Sequence, residues 1–288
     1  AKLVAHHPNL YAVYLTNHGC GPDTMLSYLF RKEMGDKPYL QIEVDEHFSP
    51  VGVITRIEAF LQSLEGRPAQ PLPAGFSLAA VVRRPTAVAA VPERTGGPLL
   101  VPDLPPFTAY LRAYCEAAWK TETRTLRLDS TTLPLGRAET SSKEYLPFPA
   151  LLGGILTAAE VESGPFQVLL PSTQGAEADG QYPWGVESVL ERRGLCRVKV
   201  IAPELETIPE RCPEPDLLVR AILAGDFLLC APPEQRDALA PAGVPSWAEL
   251  EALAAHIGAI PAEGRPLGIV GEPFTLFNLH DGVPDTLE

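Results

Sequence analysis

Apolar positions in the first 66 residues switch between two periods. Ala12 to Thr16 is a short apolar run after Pro8-Asn9 and predicts a strand. Met25, Leu26, Leu29, Phe30 and Met34 then recur at helical spacing, with Gly35 as a stop. Leu40, Ile42 and Val44 alternate in a second strand that ends in Asp45-Glu46-His47. Val53, Ile57, Leu61 and Leu64 line one face of a second helix that closes at Gly66. This strand–helix–strand–helix rhythm predicts a parallel sheet covered by helices, of which residues 1–66 supply only part.

The rhythm breaks over residues 67–97, where Pro68, Pro71, Pro73, Pro85, Pro92 and Gly96-Gly97 surround an apolar stretch. The composition predicts a linker with one strand or hairpin near Leu78–Val82. A second series runs over residues 98–261. Its strands are predicted at 99–101, 125–128, 167–170 and 198–201. Its helices are predicted at 110–119, 148–160, 186–193 and 217–229, and the Gly153-Gly154 pair loosens the second of them. A last helix opens with the capping-box pattern Ser246-Trp247-Ala248-Glu249. Pro266 to Val270 reads as a further strand, so residues 262–288 open another strand–helix unit or return to the first domain. The predicted class is α/β, with two doubly wound, Rossmann- or flavodoxin-like parallel-sheet domains, the first incomplete. The sequence reads as a piece of a longer protein.

Composition narrows the partners. The formal net charge of −13 argues against nucleic acid and anionic membrane. No run of about 18 apolar residues is present, and the start lacks a basic-then-apolar leader pattern. Five scattered cysteines, without a CxxC pair or zinc spacing, suit a reducing cytoplasm. Four of them (Cys115, Cys196, Cys212 and Cys230) read as small apolar residues.

The fifth is different. Cys20 stands in Asn17-His18-Gly19-Cys20-Gly21-Pro22-Asp23, between a predicted strand and a predicted helix. A helix N-terminus favours negative charge, so a thiol there suits an iron–sulfur cluster or a reactive role. Ligands of open parallel sheets bind beyond the carboxyl ends of the strands. Three polar segments fall at such ends: Asn17–Asp23, Asp45–His47 and Ser172–Tyr182. The loop Thr140–Glu144 precedes a helix. Adjacent strand residues point to opposite faces, so at most two of Asp45, Glu46 and His47 converge; the plainer role is a polar strand end that caps a helix. Ser172-Thr173 follows a strand as a phosphate-binding turn does, but without the glycines of a P-loop.

Gly19-Cys20-Gly21-Pro22-Asp23, then Asp45-Glu46-His47, then Gly52-Val53-Ile54-Thr55-Arg56-Ile57-Glu58-Ala59-Phe60 resembles the 2-hydroxyacyl-CoA dehydratase and activase-related superfamily. More narrowly, it resembles the C-terminal dehydratase-like region of the long activase-fusion proteins. Thr140-Ser141-Ser142-Lys143-Glu144-Tyr145-Leu146-Pro147-Phe148 is similar to a family segment reading Ser-Gly-Lys-Glu-Cys-Leu-Pro. Gly175 to Tyr182 is similar to Gly-Pro-Cys-Arg-Phe-Gly-Gln-Tyr. Gly268-Ile269-Val270-Gly271-Glu272 looks like the opening of the family's next domain.

The resemblance implies cluster ligands at the positions of Cys20, Tyr145 and Glu177, two of which have lost their thiol. It also implies a pocket with Asp45, His47, Lys143 and Gln181 near it. Tyrosine and glutamate are hard oxygen donors and poor substitutes for thiolate. The expectation is a degenerate dehydratase-like domain with a structural or regulatory role and no cofactor of its own. The alternatives are an active electron-transfer or dehydratase component holding a 4Fe–4S cluster, with Cys20 as a metal ligand, and a metal-free acyl-CoA-binding module. The implied partners are other domains of a fusion protein, an ATP-dependent activase and an acyl-CoA.

Overall fold

A computed structural model describes residues 1–17, 20–45, 49–77, 88–94, 96–141, 143–173, 178–204 and 212–260. The strand signals near Leu78–Val82 and Pro266–Val270, and the positions His47 and Glu177, lie outside the described residues. The protein is α/β with parallel sheets, compatible with a Rossmann-like layout. It divides into two compact units, residues 1–87 with 176–178, and residues 88–175 with 179–288.

The first unit holds α1 (Lys2–His6), β1 (Val13–Asn17), α2 (Gly21–Met34), β2 (Leu40–Val44) and α3 (Pro50–Leu64). β1 and β2 are parallel, with Val13 opposite Leu40 and Leu15 opposite Ile42. The α2 side of this sheet is well packed. Tyr14 stacks on Phe30 at 4.6 Å, and Phe30 meets Tyr39 edge-on at 5.0 Å. The Gln41 amide donates to the Ser27 hydroxyl at 3.5 Å. α3 packs on β2 with Val53, Ile57, Phe60 and Leu64 half-buried, but none of its residues is fully buried.

The second unit contains β3 (Leu99–Pro102), α4 (Phe107–Trp119), β4 (Thr123–Leu126), α5 (Leu133–Arg137), α6 (Pro147–Val161), β5 (Phe166–Leu169), a 3-10 turn (Asp179–Gln181) and α7 (Tyr182–Arg192). It continues with β6 (Val198–Ile201), α8 (Pro215–Leu229), α9 (Pro233–Leu239) and α10 (Trp247–Gly258). Its four strands are parallel in the order β4-β3-β5-β6. The order reverses between β3 and β5, which places the switch point of this sheet at their carboxyl ends. Leu99, Val101, Leu169 and Ile201 bury one face under Tyr110, Tyr114 and Cys115 of α4, Leu218, Ala221 and Leu228 of α8, and Leu250 and Leu253 of α10. Leu100, Phe166, Val168 and Val200 fill the other face, also fully buried.

Two sequence expectations change here, and the prolines find a structural use. Gly153-Gly154 does not loosen α6, which runs unbroken from Pro147 to Val161 with eleven buried residues. The glycines let other backbone approach: a Cβ on Gly153 would stand 2.2 Å from the Thr132 oxygen, and one on Gly154 2.6 Å from the Arg127 oxygen. The prolines are not confined to loops, since seven helices carry one at their first or second position, where no intrahelical N–H is lost. Finally, Ala89, Glu93 and Gly97 are fastened to the second sheet. Ala89 bridges Ile201, and the Ala202 N–H donates to the Ala89 oxygen at 2.7 Å. The fully buried Gln167 receives the Glu93 N–H at 2.7 Å and donates to the Glu93 and Gly97 oxygens at 3.0 and 3.2 Å.

Of the cysteines read as apolar, Cys115 fits best: it has no exposed surface, and burial pushes its thiol up to about 12. Cys212 is half-buried against the same core, where burial also raises its thiol. Cys196 and Cys230 are exposed.

Candidate functional site

Cys20 and Asp45 belong to the first unit, and Lys143, Tyr145 and Gln181 to the second. Each lies where a strand or loop turns into a helix.

Cys20 is the N-cap residue of α2, half-buried, with its backbone extended and no side-chain capping bond. Its own oxygen accepts the Thr24 N–H at 3.1 Å, which starts the helix. Pro22 contributes no N–H to the first turn. Asp23 already brings a carboxylate there, and that carboxylate reaches back to β1. Its Oδ2 accepts the Asn17 N–H at 2.7 Å and the Thr16 hydroxyl at 3.3 Å. A negative charge therefore already occupies the start of α2, where a second anion is disfavoured by like-charge repulsion. Sequence reading took this helix start as open to an anion; Asp23, a member of the same motif, closes much of it.

Tyr145 is 46% exposed, one residue before the N-cap of α6. The first turn of α6 has few donors to offer. Pro147 and Pro149 have no N–H, and the Phe148 N–H donates to the Tyr145 oxygen at 3.0 Å. The preceding loop folds around Glu144, which the sequence did not single out for a site. Glu144 is 8% exposed; its Oε2 accepts the Ser141 N–H at 2.8 Å and the Ser141 hydroxyl at 2.6 Å. Its Oε1 is buried without a hydrogen-bond partner among the described residues. Lys143 is exposed, and its N–H donates to the Ser141 hydroxyl at 3.2 Å.

Gln181 is the half-buried N-cap of α7. Phe148 and Tyr182, in the first turns of α6 and α7, touch with ring centroids 5.4 Å apart, so the two helix starts are neighbours. The 3-10 turn packs tightly on Thr173 in the loop that follows β5. A Cβ on Gly180 would stand 2.5 Å from the Thr173 oxygen and 2.8 Å from its hydroxyl. Asp45 is exposed at the end of β2.

The remaining strand ends carry tight local networks. After β3, Thr108 accepts the Leu104 N–H at 2.6 Å and donates to Asp103 Oδ1 at 3.2 Å. After β4, Asp129 Oδ1 accepts the Thr131 hydroxyl at 2.5 Å, the Thr131 N–H at 2.8 Å and the Thr132 N–H at 3.1 Å. Oδ2 pairs with Arg127. The Thr131 hydroxyl leads in holding the Asp129 carboxyl down to about 2, with the backbone N–H groups and Arg127 adding to it. A folded value below the unfolded one gives stability that is complete above about pH 4 and lost as the pH falls toward about 2. The gap in urea midpoint between the native chain and Asp129→Asn should therefore be widest near pH 6 and shrink steadily below pH 4. A gap independent of pH would show that this carboxylate has no such role.

Among the described residues no group of three or more His, Cys, Asp or Glu side chains gathers as metal ligands would. No family model, no curated protein and no solved structure matches this chain. No helix among the described residues is long and apolar enough to cross a membrane.

Proposed function

We propose that this chain is a dehydratase-like region of a 2-hydroxyacyl-CoA dehydratase activase-related protein, with two doubly wound domains and a degenerate iron–sulfur site. Its role is structural or regulatory within a larger assembly that includes an ATP-dependent activase. One observation carries the reading: the motif residues Cys20 and Tyr145 stand at helix starts whose chemistry has turned away from a cluster. At α2 the first turn is occupied by Asp23, and at α6 two prolines and the Tyr145 oxygen leave the first turn without a free N–H. The order of the motifs and the α/β layout with parallel sheets support the family; the lost thiols support the loss of redox chemistry.

Anaerobic reconstitution with iron and sulfide tests this directly. The expected product holds no stoichiometric iron after desalting and lacks broad absorbance near 400 nm, where iron–sulfur charge transfer falls, to be compared at about 0.1 iron per chain or less. Cys20→Ala should leave that result unchanged. Iron at four atoms per chain, lost in Cys20→Ala, would overturn the reading in favour of an active electron-transfer component.

A further inference from the structure

The acidic charge of this chain is gathered toward one end, and we propose that the face it surrounds, the outer ridge of α8 beside Trp247, docks a cationic amphipathic helix of a partner protein. This face contains none of the motif residues, so its role stands whatever the cluster site holds. Residues 204–288 carry fifteen acidic and four basic side chains, a balance of −11 out of the −13 of the whole chain. Residues 1–203, with 21 acidic and 19 basic side chains, are close to neutral. The two described arginines of the acidic stretch make local bonds. Arg220 donates to Asp216 Oδ2 at 2.9 Å and to the Pro245 oxygen at 2.6 Å. Arg236 donates to the Ala231 and Leu229 oxygens at 3.1 and 3.3 Å.

An apolar patch sits inside this charge. Beyond Val161, the exposed large apolar side chains among the described residues are Val219, Ile222 and Trp247, at 46%, 39% and 48% exposure. They fall together. Asp216, Val219, Ile222 and Asp226 follow one another at intervals of three and four residues and form one exposed ridge of α8. The Trp247 indole N–H donates to Asp216 Oδ1 at 2.8 Å, which sets its ring beside the first turn of that ridge. The opposite face of α8, with Leu218, Ala221 and Leu228, lies in the core, so the ridge stands on a fixed base. A tryptophan next to two branched apolar side chains, rimmed by carboxylates, has the make-up of a binding hot spot.

Charge selects the occupant. A second copy would bring two surfaces of the same acidic excess together. Residues 261–288 of this chain hold five acidic side chains and one arginine, so they too are repelled. Nucleic acid and anionic lipid carry the same sign. A helix with apolar side chains at i, i+3 and i+4, flanked by lysine or arginine, meets both demands. Its apolar stripe packs on Val219, Ile222 and Trp247. Its cations face the exposed carboxylates of Asp226, one turn beyond Ile222, and Glu251, one turn beyond Trp247.

The probe is a fluorescein-labelled peptide of leucine and lysine, about two heptads long in a helical pattern, titrated with the full chain and read by anisotropy. The expected dissociation constant is about 10 to 100 μM, as for a modest interface. Two comparison peptides separate charge from fit. Glutamate in place of lysine should abolish binding, and serine in place of leucine, at unchanged charge, should weaken it roughly tenfold or more. Trp247→Ala, and Val219→Ser combined with Ile222→Ser, should each weaken binding of the leucine–lysine peptide to a similar extent. These sites are exposed, so the variants should keep the circular dichroism spectrum. Val161→Ser, at an exposed position closing α6, should bind as the native chain does. Absence of binding up to about 1 mM would overturn the proposal. So would equal binding of the serine peptide, which would mean charge attraction alone, or binding indifferent to both sets of substitutions, which would place the contact elsewhere.

Discussion

Gly136→Ala should destabilise the second unit by about 3 kcal/mol, opposite in sign to the usual effect of removing a helical glycine. An exposed helix gains up to about 1 kcal/mol from alanine, because glycine loses more backbone entropy on folding. Gly136 is buried in α5, where its missing side chain makes room for the start of α6. A Cβ would fall 1.8 Å from the Pro149 oxygen and 2.7 Å from the Gly153 nitrogen. Both obstacles are backbone atoms, so no side chain can rotate away. Relief requires α5 and α6 to separate, which disturbs a helix that carries the fully buried Phe148 and Leu152. Urea titration monitored by circular dichroism should show a lower midpoint for Gly136→Ala. Gly194→Ala is a useful contrast. It replaces a glycine with positive φ and open space around it, so any loss there comes from backbone strain alone. A Gly136→Ala midpoint equal to or above that of the native chain would contradict the close approach.

Gln167→Leu has the second large effect, expected near 2 kcal/mol, because a near-isosteric apolar group removes three hydrogen bonds at once and leaves their backbone partners unmatched. The side chain has no exposed surface and lies between β5 and the turn at 93–97. Leucine fills the space but offers nothing to the Glu93 N–H or to the Glu93 and Gly97 oxygens. Hydrogen exchange should accelerate across residues 88–97, and the global midpoint should fall. Unchanged exchange in that segment, together with an unchanged midpoint, would show that Gln167 is not its anchor. Gln167→Glu separates size from bonding. It keeps an acceptor for the Glu93 N–H but turns the two donor contacts into repulsions, so it should cost at least as much as leucine.

These two positions also show where sequence reading reached its limit. The period of apolar residues located the strands and longer helices, because β5 and β6 are buried runs and α4, α8 and α10 carry clear stripes. The short helices α1, α5 and α9 bury little and have no stripe long enough to register a period. Gly153-Gly154 was legible as a special place, but composition cannot distinguish a flexible helix from one pressed against backbone. Residues 88–97 carry linker composition; their attachment is encoded far away, in a lone glutamine within the apolar run Phe166-Gln167-Val168-Leu169. That polar residue was the available signal. The candidate site divides the same way. The positions of Cys20 and Tyr145 at helix starts follow from the order of the motifs, and Pro147 and Pro149 announce missing N–H groups. The return of Asp23 to Asn17 and the burial of Glu144 depend on chain folding that no spacing rule expresses.

The fastening of residues 88–97 also bears on the order in which the second unit is assembled. This segment is made first, yet its partners are Gln167 and Ile201. The Ala89–Ile201 bridge closes a long loop, and contacts distant in sequence form late because the entropy of closure precedes their reward. On a growing chain, Ala89 to Gly97 must wait until β5 and β6 have left the ribosome. The segment therefore acts as a closing latch, set only after the four-stranded sheet is complete.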